Sequence, residues 1–435
     1  MKHALKPLLA ATLAAGLAMP ATSFATNGMF MIGYGTKSRG MGGVSIATTL
    51  DSLAGATNPA AIRAFNTRVD VGMDYFRPMA TAALGIGTRS YIEEESQADS
   101  FLIPNMGGAM RFNRKLSFGF SAVGAGGGGS RYNRNIYNAQ RAGADISDTL
   151  GVNMMVMQMN PTVAFRASKN HSVGASLIIG VQTFRAFGLT EFNAFTPSGG
   201  EGKTSPYLTN NGNDWAYGAG VRVGWLGKFL KKKLTLGASA SSKVYMTKFE
   251  KYKELFAGSG SFDTPPQFGF GAAYKATKKL TVAMDVAYTM YSAIPSIANR
   301  GPNTPADEDP TPLGGDESRR LGLKNGMGFD WDDQIIFKLG ANYDFNKQWS
   351  LRAGWNYAKS PIPEERAIIF NIVAPATTQN HATIGGSYRP NRNMELSFSY
   401  VHAFKYSQRG PTYIGSQGEI SMYQDSVGAS FAYYF

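Results

Sequence analysis

The chain has 435 residues, a formal net charge of +13 and no cysteine, which excludes a disulfide framework, a thiol nucleophile and any Cys-ligated metal. Aromatic residues make up 12% of it and there are 51 glycines. Beyond the first 25 residues no stretch is apolar for about 18 positions, so a crossing of a membrane has to be made by strands rather than helices.

Residues 1–25 read as a signal peptide. Lys2 and Lys6 supply the positive start, Leu8 to Met19 the short apolar stretch, and Ser23-Phe24-Ala25 the small residues at a cleavage site. The mature chain is then expected to begin at Thr26 with a charge of +11, since the two leader lysines are lost. That positive balance sits in short clusters such as Lys231-Lys232-Lys233 and Lys278-Lys279, which suit solvated turns at a membrane surface better than a nucleic-acid groove.

Residues 26 to 66 do not alternate as strands do. They hold Gly28, Gly33, Gly35, Gly40, Gly42, Gly43 and Gly55, followed by Asn58-Pro59-Ala60. A wide barrel leaks unless something fills it, so this segment is expected to be an N-terminal hatch (plug), its glycines permitting tight turns. The alternative is a loose tail outside the barrel.

From about Arg68 onward the dominant signal is strict alternation. Leu280, Val282, Met284, Val286 and Tyr288 face one way, and Thr281, Ala283, Asp285, Ala287 and Thr289 the other. Trp349 to Tyr357 and Met394 to Tyr400 repeat the pattern. Alternation alone does not separate a soluble sandwich from a barrel in lipid. Three features do. Six short turns, at Phe112–Lys115, Ser168–Asn170, Lys231–Lys233, Ala276–Lys279, Phe345–Lys347 and Arg389–Arg392, are separated by longer loops rich in Gly, Pro, Asn and acid. Many strands run for roughly 10–14 residues, long enough to cross a bilayer when tilted. The chain also ends in Ser430-Phe431-Ala432-Tyr433-Tyr434-Phe435, with apolar residues at odd positions and aromatics at the interface. Together they predict an all-β fold, an antiparallel transmembrane β-barrel of about 14 strands spanning residues 67–435, behind the hatch at 26–66.

These residues resemble the FadL-type long-chain fatty-acid transporters of the Gram-negative outer membrane. The resemblance runs over most of residues 26–435. It is carried by Thr26-Asn27-Gly28, Asn58-Pro59-Ala60, Thr264-Pro265-Pro266-Gln267 entering a strand, Trp331 beginning one, Trp349-Ser350-Leu351-Arg352-Ala353-Gly354 and Ser360-Pro361-Ile362-Pro363. It implies a 14-stranded barrel with a hatch, a hydrophobic ligand pocket, and a third strand kinked inward to open a lateral gap. Here the third strand, from Leu116, meets Gly124-Ala125-Gly126-Gly127-Gly128-Gly129, a run that suits a bulge and leaves no side chain to block a gap. Gly124, Gly126 and Gly129 also match a dinucleotide fingerprint, but the helix and acidic partner it requires are missing. A flexible loop tip is the plainer alternative.

Two long loops are apolar for exposed segments. The third carries Phe184, Phe187, Leu189, Phe192 and Phe195, and the fourth places Phe249, Tyr252, Leu255 and Phe256 on one face of a short helix. They form either a ligand groove or a loop–loop packing contact. Parity puts Asp70, Asp74, Arg166, Arg222, Asp285, Lys338 and Arg352 in the lumen, there to pin the hatch or to receive a ligand carboxylate. The mature histidines, His171, His381 and His402, come without a Gly-x-Ser-x-Gly elbow, though a barrel lipase need not use one, and they read as satisfied or exposed side chains rather than catalytic ones. Asp307, Glu308, Asp309, Asp316 and Glu317 lack an EF-hand arrangement and read as a solvated loop, so no metal and no cofactor are expected.

The reading is a non-enzymatic, monomeric outer-membrane carrier that takes up hydrophobic small molecules passively. Its expected partners are a long-chain fatty acid or other hydrophobic ligand, together with outer-membrane lipid and lipopolysaccharide, and no nucleic acid. Aromatic or alkane hydrocarbon uptake is the runner-up; an outer-membrane lipase and a structural or adhesive barrel are the readings from other classes.

Overall fold

The computed structural model describes residues 27–435 except Ala142, Glu201, Gly202 and Glu365; the expected leader lies outside the described residues. Strands run in chain order as β1 (Thr67–Ile86), β2 (Ile92–Glu95), β3 (Phe101–Arg111), β4 (Leu116–Tyr132), β5 (Leu150–Arg166), β6 (His171–Phe187), β7 (Asp214–Phe229) and β8 (Leu234–Ser241). They continue as β9 (Tyr245–Met246), β10 (Gln267–Lys275), β11 (Leu280–Thr289), β12 (Gln334–Asp344), β13 (Trp349–Ala358), β14 (Asn380–Tyr388), β15 (Met394–Pro411) and β16 (Gln417–Tyr434). All pair antiparallel with sequence neighbours, and β16 closes on β1 from Arg68↔Tyr434 to Ile86↔Gln417. The short strands β2 and β9 continue the β3 and β8 positions along β1 and β7 after a break, which leaves fourteen spanning strands. All six expected short turns are present, each joining two spanning strands, and both ends of the barrel lie on that side.

The alternation resolves into an inside and an outside. On β11, Met284 is 51% exposed and its neighbour Asp285 1%. On β15, Leu396, Phe398 and Tyr400 point outward while Ser397 and Ser399 are buried. In water such a greasy exterior would drive aggregation; in an outer membrane it is the lipid-facing band. Aromatic pairs next to the short turns mark one edge of that band: Phe112 with Phe118, Tyr343 with Phe345, Trp349 stacked on Tyr388, and Tyr433 with Phe435. His171 belongs to this girdle, stacked on Trp225. His402 faces outward beside Asp425, and His381 is buried on β14, so the three histidines are not brought together.

Residues 27 to about 65 lie inside the barrel. A one-turn helix, Thr36–Arg39, and two 3-10 turns, Ser52–Ala56 and Pro59–Ala64, are buried against the wall almost throughout. Gly42, at φ 70°, takes a conformation that side chains rarely adopt, and a Cβ there would lie 2.4 Å from the Leu339 carbonyl oxygen of β12. The wall answers with glycines of its own. Gly340, Gly354 and Gly385 have the hatch backbone at Gly40, Met41 and Gly42 so close that a Cβ on any of them would meet it at 3.0 Å or less.

Candidate functional site

The ladder between β3 and β4 is interrupted. β4 pairs with β5 from Leu116↔Phe165 to Tyr132↔Leu150, with a bulge between Gly124 and Gly126. Its pairing with β3 stops at Val123↔Asn105. The next residue on β3 is Pro104, which has no N–H to offer a neighbour and so terminates the ladder. Contact resumes only at Arg131, whose carbonyl accepts from Gln97 N (2.7 Å) and whose N–H reaches Ser96 Oγ (3.0 Å). The glycine run therefore lies within a strand, not at a loop tip, and it borders a window in the ladder from Gly124 to Ser130.

The start of the hatch covers that window from inside. Phe30 bridges to Gly126, Met31 N donates to Ala125 O (3.3 Å), and Gly127 N donates to Met29 O (3.0 Å). A Cβ on Gly126 would sit 2.0 Å from the Met29 carbonyl oxygen, so this approach requires glycine. Two residues on, a Cβ at Gly128 would meet nothing within 4 Å.

Above the hatch the loops enclose two adjoining apolar cavities. The outer is lined by Leu189, Phe192, Leu255, Leu321, Met327 and Phe370, among others, with Ser296 its one polar side chain. The inner reaches Met29 of the hatch and Gly127 and Gly128 of the window, with Met154, Phe262 and Trp331 around it. The two share Val152, Phe184, Phe256 and Phe329, so an apolar surface runs unbroken from the loops to the window. On the far side of Phe30 and Met31 the surroundings change: a separate pocket is lined by Tyr34, Arg222, Ser239, Ser241, Gln267 and Lys338.

Charge holds the hatch to the wall below. Arg39 pairs with Asp74 (2.9 Å) and Lys37 with Glu395, both pairs shut off from water. Asp285 of β11 accepts from Ser45 N (2.7 Å) and Ile46 N (3.0 Å), Lys338 Nζ donates to Ile32 O (2.7 Å), and Arg222 Nη1 to Ala56 O. Asn58 works both ways: its Oδ1 caps the following turn at Ala60 N (3.1 Å), while its Nδ2 donates to Ile46 O (2.7 Å) and to Trp225 O on β7 (3.0 Å). Pro59 and Ala60 pack against β6 at Gly174. Burial pushes the Lys37 ammonium down, to about 8, with Arg68 acting the same way and Glu395 opposing. Burial, then the neighbouring Asp70, pushes the Asp51 carboxyl up, to about 6.

Of the expected groove residues, Phe192, Leu255 and Phe256 line the cavity. Phe249 lies wholly buried behind it, against Phe184 and Phe256. Phe195 is half-buried against Tyr413. Phe187 lies outside the cavity, at the end of β6 beneath the Arg185 guanidinium. The expected helix around 248–256 is instead a 3-10 turn at Glu250–Tyr252 followed by a separate short turn at Ala257–Gly260, yet the four apolar side chains still converge. Arg222, Lys338 and Arg352 are lumenal; Arg352 donates to Ser387 Oγ (2.8 Å) and Ser350 Oγ (3.1 Å). Arg166 is not: it keeps the inward parity but lies past the rim, exposed, donating to Ser168 O and Lys169 O of its own turn. Trp331 precedes β12 rather than beginning it and is buried in the cavity wall. In the acidic loop Asp307 pairs with Arg300, Asp309 bonds Thr311 and Asp316 caps Ser318, and no metal-type cluster occurs among the described residues.

The loops before β12 and before β14, not among the expected groove segments, complete the cavity through Ile297, Met327, Phe329, Phe370 and Val373. The signal was there in Ala367-Ile368-Ile369-Phe370-Asn371-Ile372-Val373, an apolar run where strand counting leaves only a loop.

Residues 10–411 match the family model described as outer membrane protein transport protein (OMPP1/FadL/TodX). No curated protein matches by sequence. The fold is similar to the toluene transporter TodX of Pseudomonas putida (TM-score 0.68, 18% identity, 93% of this chain and 99% of that one). It is also similar to a FadL homologue of Pseudomonas aeruginosa (0.67, 16%, 94% and 100%) and to the toluene transporter TbuX of Ralstonia pickettii (0.64, 16%, 93% and 99%). A match over nearly the whole chain, on a closed fourteen-stranded barrel with a hatch, places this protein in the OMPP1/FadL/TodX family of outer-membrane transport proteins.

Proposed function

We propose that this protein takes up hydrophobic small molecules passively and releases them sideways into the membrane through the window beside Gly124–Gly129. The observation that carries this reading is the continuity of the apolar surface. It begins at Phe192 and Leu255 in the loops and ends at Gly127, Gly128 and Met29, where the ladder between β3 and β4 is open. A ligand leaving water for the cavity gains roughly 25 cal/mol per Å2 of apolar area buried, which is enough to drive capture without an energy source. Going straight down the bore would instead take it past Arg222 and Lys338 and through a hatch held by ion pairs. Displacing the Met29–Met31 bridge opens the sideways route at the cost of a few backbone hydrogen bonds, about 1 kcal/mol each. Uptake of this kind requires no enzymatic step. Two structural relatives named as toluene transporters, and a third as a FadL homologue, fit a hydrophobic cargo.

Gly128→Trp tests the route, because it fills open space without striking the hatch. Uptake of a labelled hydrophobic probe by cells carrying the variant should fall at least tenfold, with heat-modifiable mobility in gels showing a properly folded barrel. Undiminished uptake by a correctly inserted variant would refute sideways exit.

A further inference from the structure

We infer that the cargo of the loop cavity is uncharged, and that an ionised carboxylate is refused by the site itself. This rests on the uptake reading and narrows it to one ligand chemistry. Neither cavity has a cationic side chain in its lining. The polar side chains around them are already engaged. Ser296 Oγ donates to Ser261 O (2.5 Å) and lies 3.4 Å from Ala257 O. Trp331 Nε1 donates to Asn371 Oδ1 (2.6 Å), and Asn371 Nδ2 to Phe329 O (2.8 Å) and Ala367 O (2.6 Å). The Tyr291 hydroxyl lies between Asn27 O (3.2 Å) and Met29 N (3.1 Å).

The nearby cations are committed elsewhere. Arg319 donates to Asn303 Oδ1 (2.8 Å), Leu313 O (3.1 Å) and Gly301 O (2.6 Å), and Arg320 to Ala194 O (2.7 Å) while paired with Glu317. Arg366 forks onto Asp330 (2.9 and 3.2 Å). Asp330 follows the cavity residue Phe329 and precedes Trp331, so Arg366 is neutralised by a carboxylate beside the lining. Arg222 and Lys338, which hold the hatch carbonyls of Ala56 and Ile32, lie in the separate pocket beyond Phe30 and Met31. A carboxylate entering the cavity would lose its water and find neither donor nor counter-ion, a penalty that falls on the anion alone. A hydrocarbon or an ester pays no such charge penalty.

The test is equilibrium binding of matched probes to the purified full-length protein in detergent at pH 8: p-xylene against p-toluate, and methyl laurate against laurate. The neutral member of each pair should bind at least roughly tenfold more tightly, since each 1.4 kcal/mol of unrecovered desolvation is a factor of ten. Laurate binding should also strengthen as the pH falls toward its pKa, because the protonated acid carries no charge. Met327→Lys places an ammonium in the outer cavity at near-constant volume and should raise laurate affinity at least tenfold over the parent. Equal affinities within the pairs at pH 8, or tighter binding of the acids, would overturn the inference while leaving uptake intact. If no probe of either kind binds and uptake is also absent, the failure lies with the uptake reading itself.

Discussion

The two halves of the barrel interior are built on opposite principles. Toward the loops, some forty buried apolar side chains form one cluster that runs from Phe184 and Phe249 to Ile368 and Trp331. Toward the short turns, the hatch is fixed by Lys37–Glu395, Arg39–Asp74 and the Asp285 carboxylate, seated on wall glycines. Apolar packing is non-directional and tolerates a guest of roughly the right size. Buried ion pairs and backbone-to-backbone seating tolerate one geometry only. The difference teaches a division of labour under the proposed function: the upper half would take the ligand and the lower half would keep the bore closed, with Met29 to Met31 at the window between them.

The sharpest way to break that contrast is to strand a buried charge. Glu395→Gln leaves the Lys37 ammonium without its carboxylate and should loosen the hatch by about 3–5 kcal/mol. Single-channel recording in planar bilayers should then show ion leak that the parent protein lacks; a tight variant would argue that the glycine seat, not charge, keeps the bore closed. Phe249→Ala attacks the other half. Removing this wholly buried ring beside Phe184 and Phe256 should cost roughly 3 kcal/mol or more of loop stability and weaken binding of a neutral probe, with no leak. Calorimetry and probe titration on the same sample would show whether the two effects separate as expected.

Gly126→Ala addresses the boundary between the halves. Its Cβ collides with the Met29 carbonyl, so residues 29–31 should move off the edge of β4. We expect faster amide hydrogen exchange there by about tenfold, equivalent to 1–2 kcal/mol of lost local stability. The smallest effect belongs to Arg166→Ala, which should change stability by no more than about 0.5 kcal/mol and leave both conductance and uptake at parental values, because the exposed Arg166 guanidinium donates to Ser168 O and Lys169 O of its own turn. A large effect would place Arg166 in the lumen after all.

Period-two alternation, turn chemistry and loop length are local properties, and they were legible. Six short turns counted from residues such as Phe345-Asn346-Lys347 led directly to fourteen spanning strands. Arg222, Lys338 and Arg352 lie on the inner face, whereas Arg166, of the same parity, lies past the rim, since parity says nothing of where a strand leaves the membrane. What no local pattern contains is which distant segments meet. The glycine run at 124–129 marked a distorted strand, but only the tertiary structure showed that pairing ends at Pro104 and that Met29 to Met31 fill the edge. Gly340, Gly354 and Gly385 offer a strand no side chain to pack, and only the tertiary structure shows the hatch resting on them. The cavity needed four loops from separate parts of the chain, and its lack of any free cation is a property of that assembly. Sequence by itself determined the barrel, because alternation, short turns, strand length and the aromatic C-terminal strand are all local features. Its contents were decided by contacts between segments far apart in the chain, such as Lys338 with Ile32, 306 positions away.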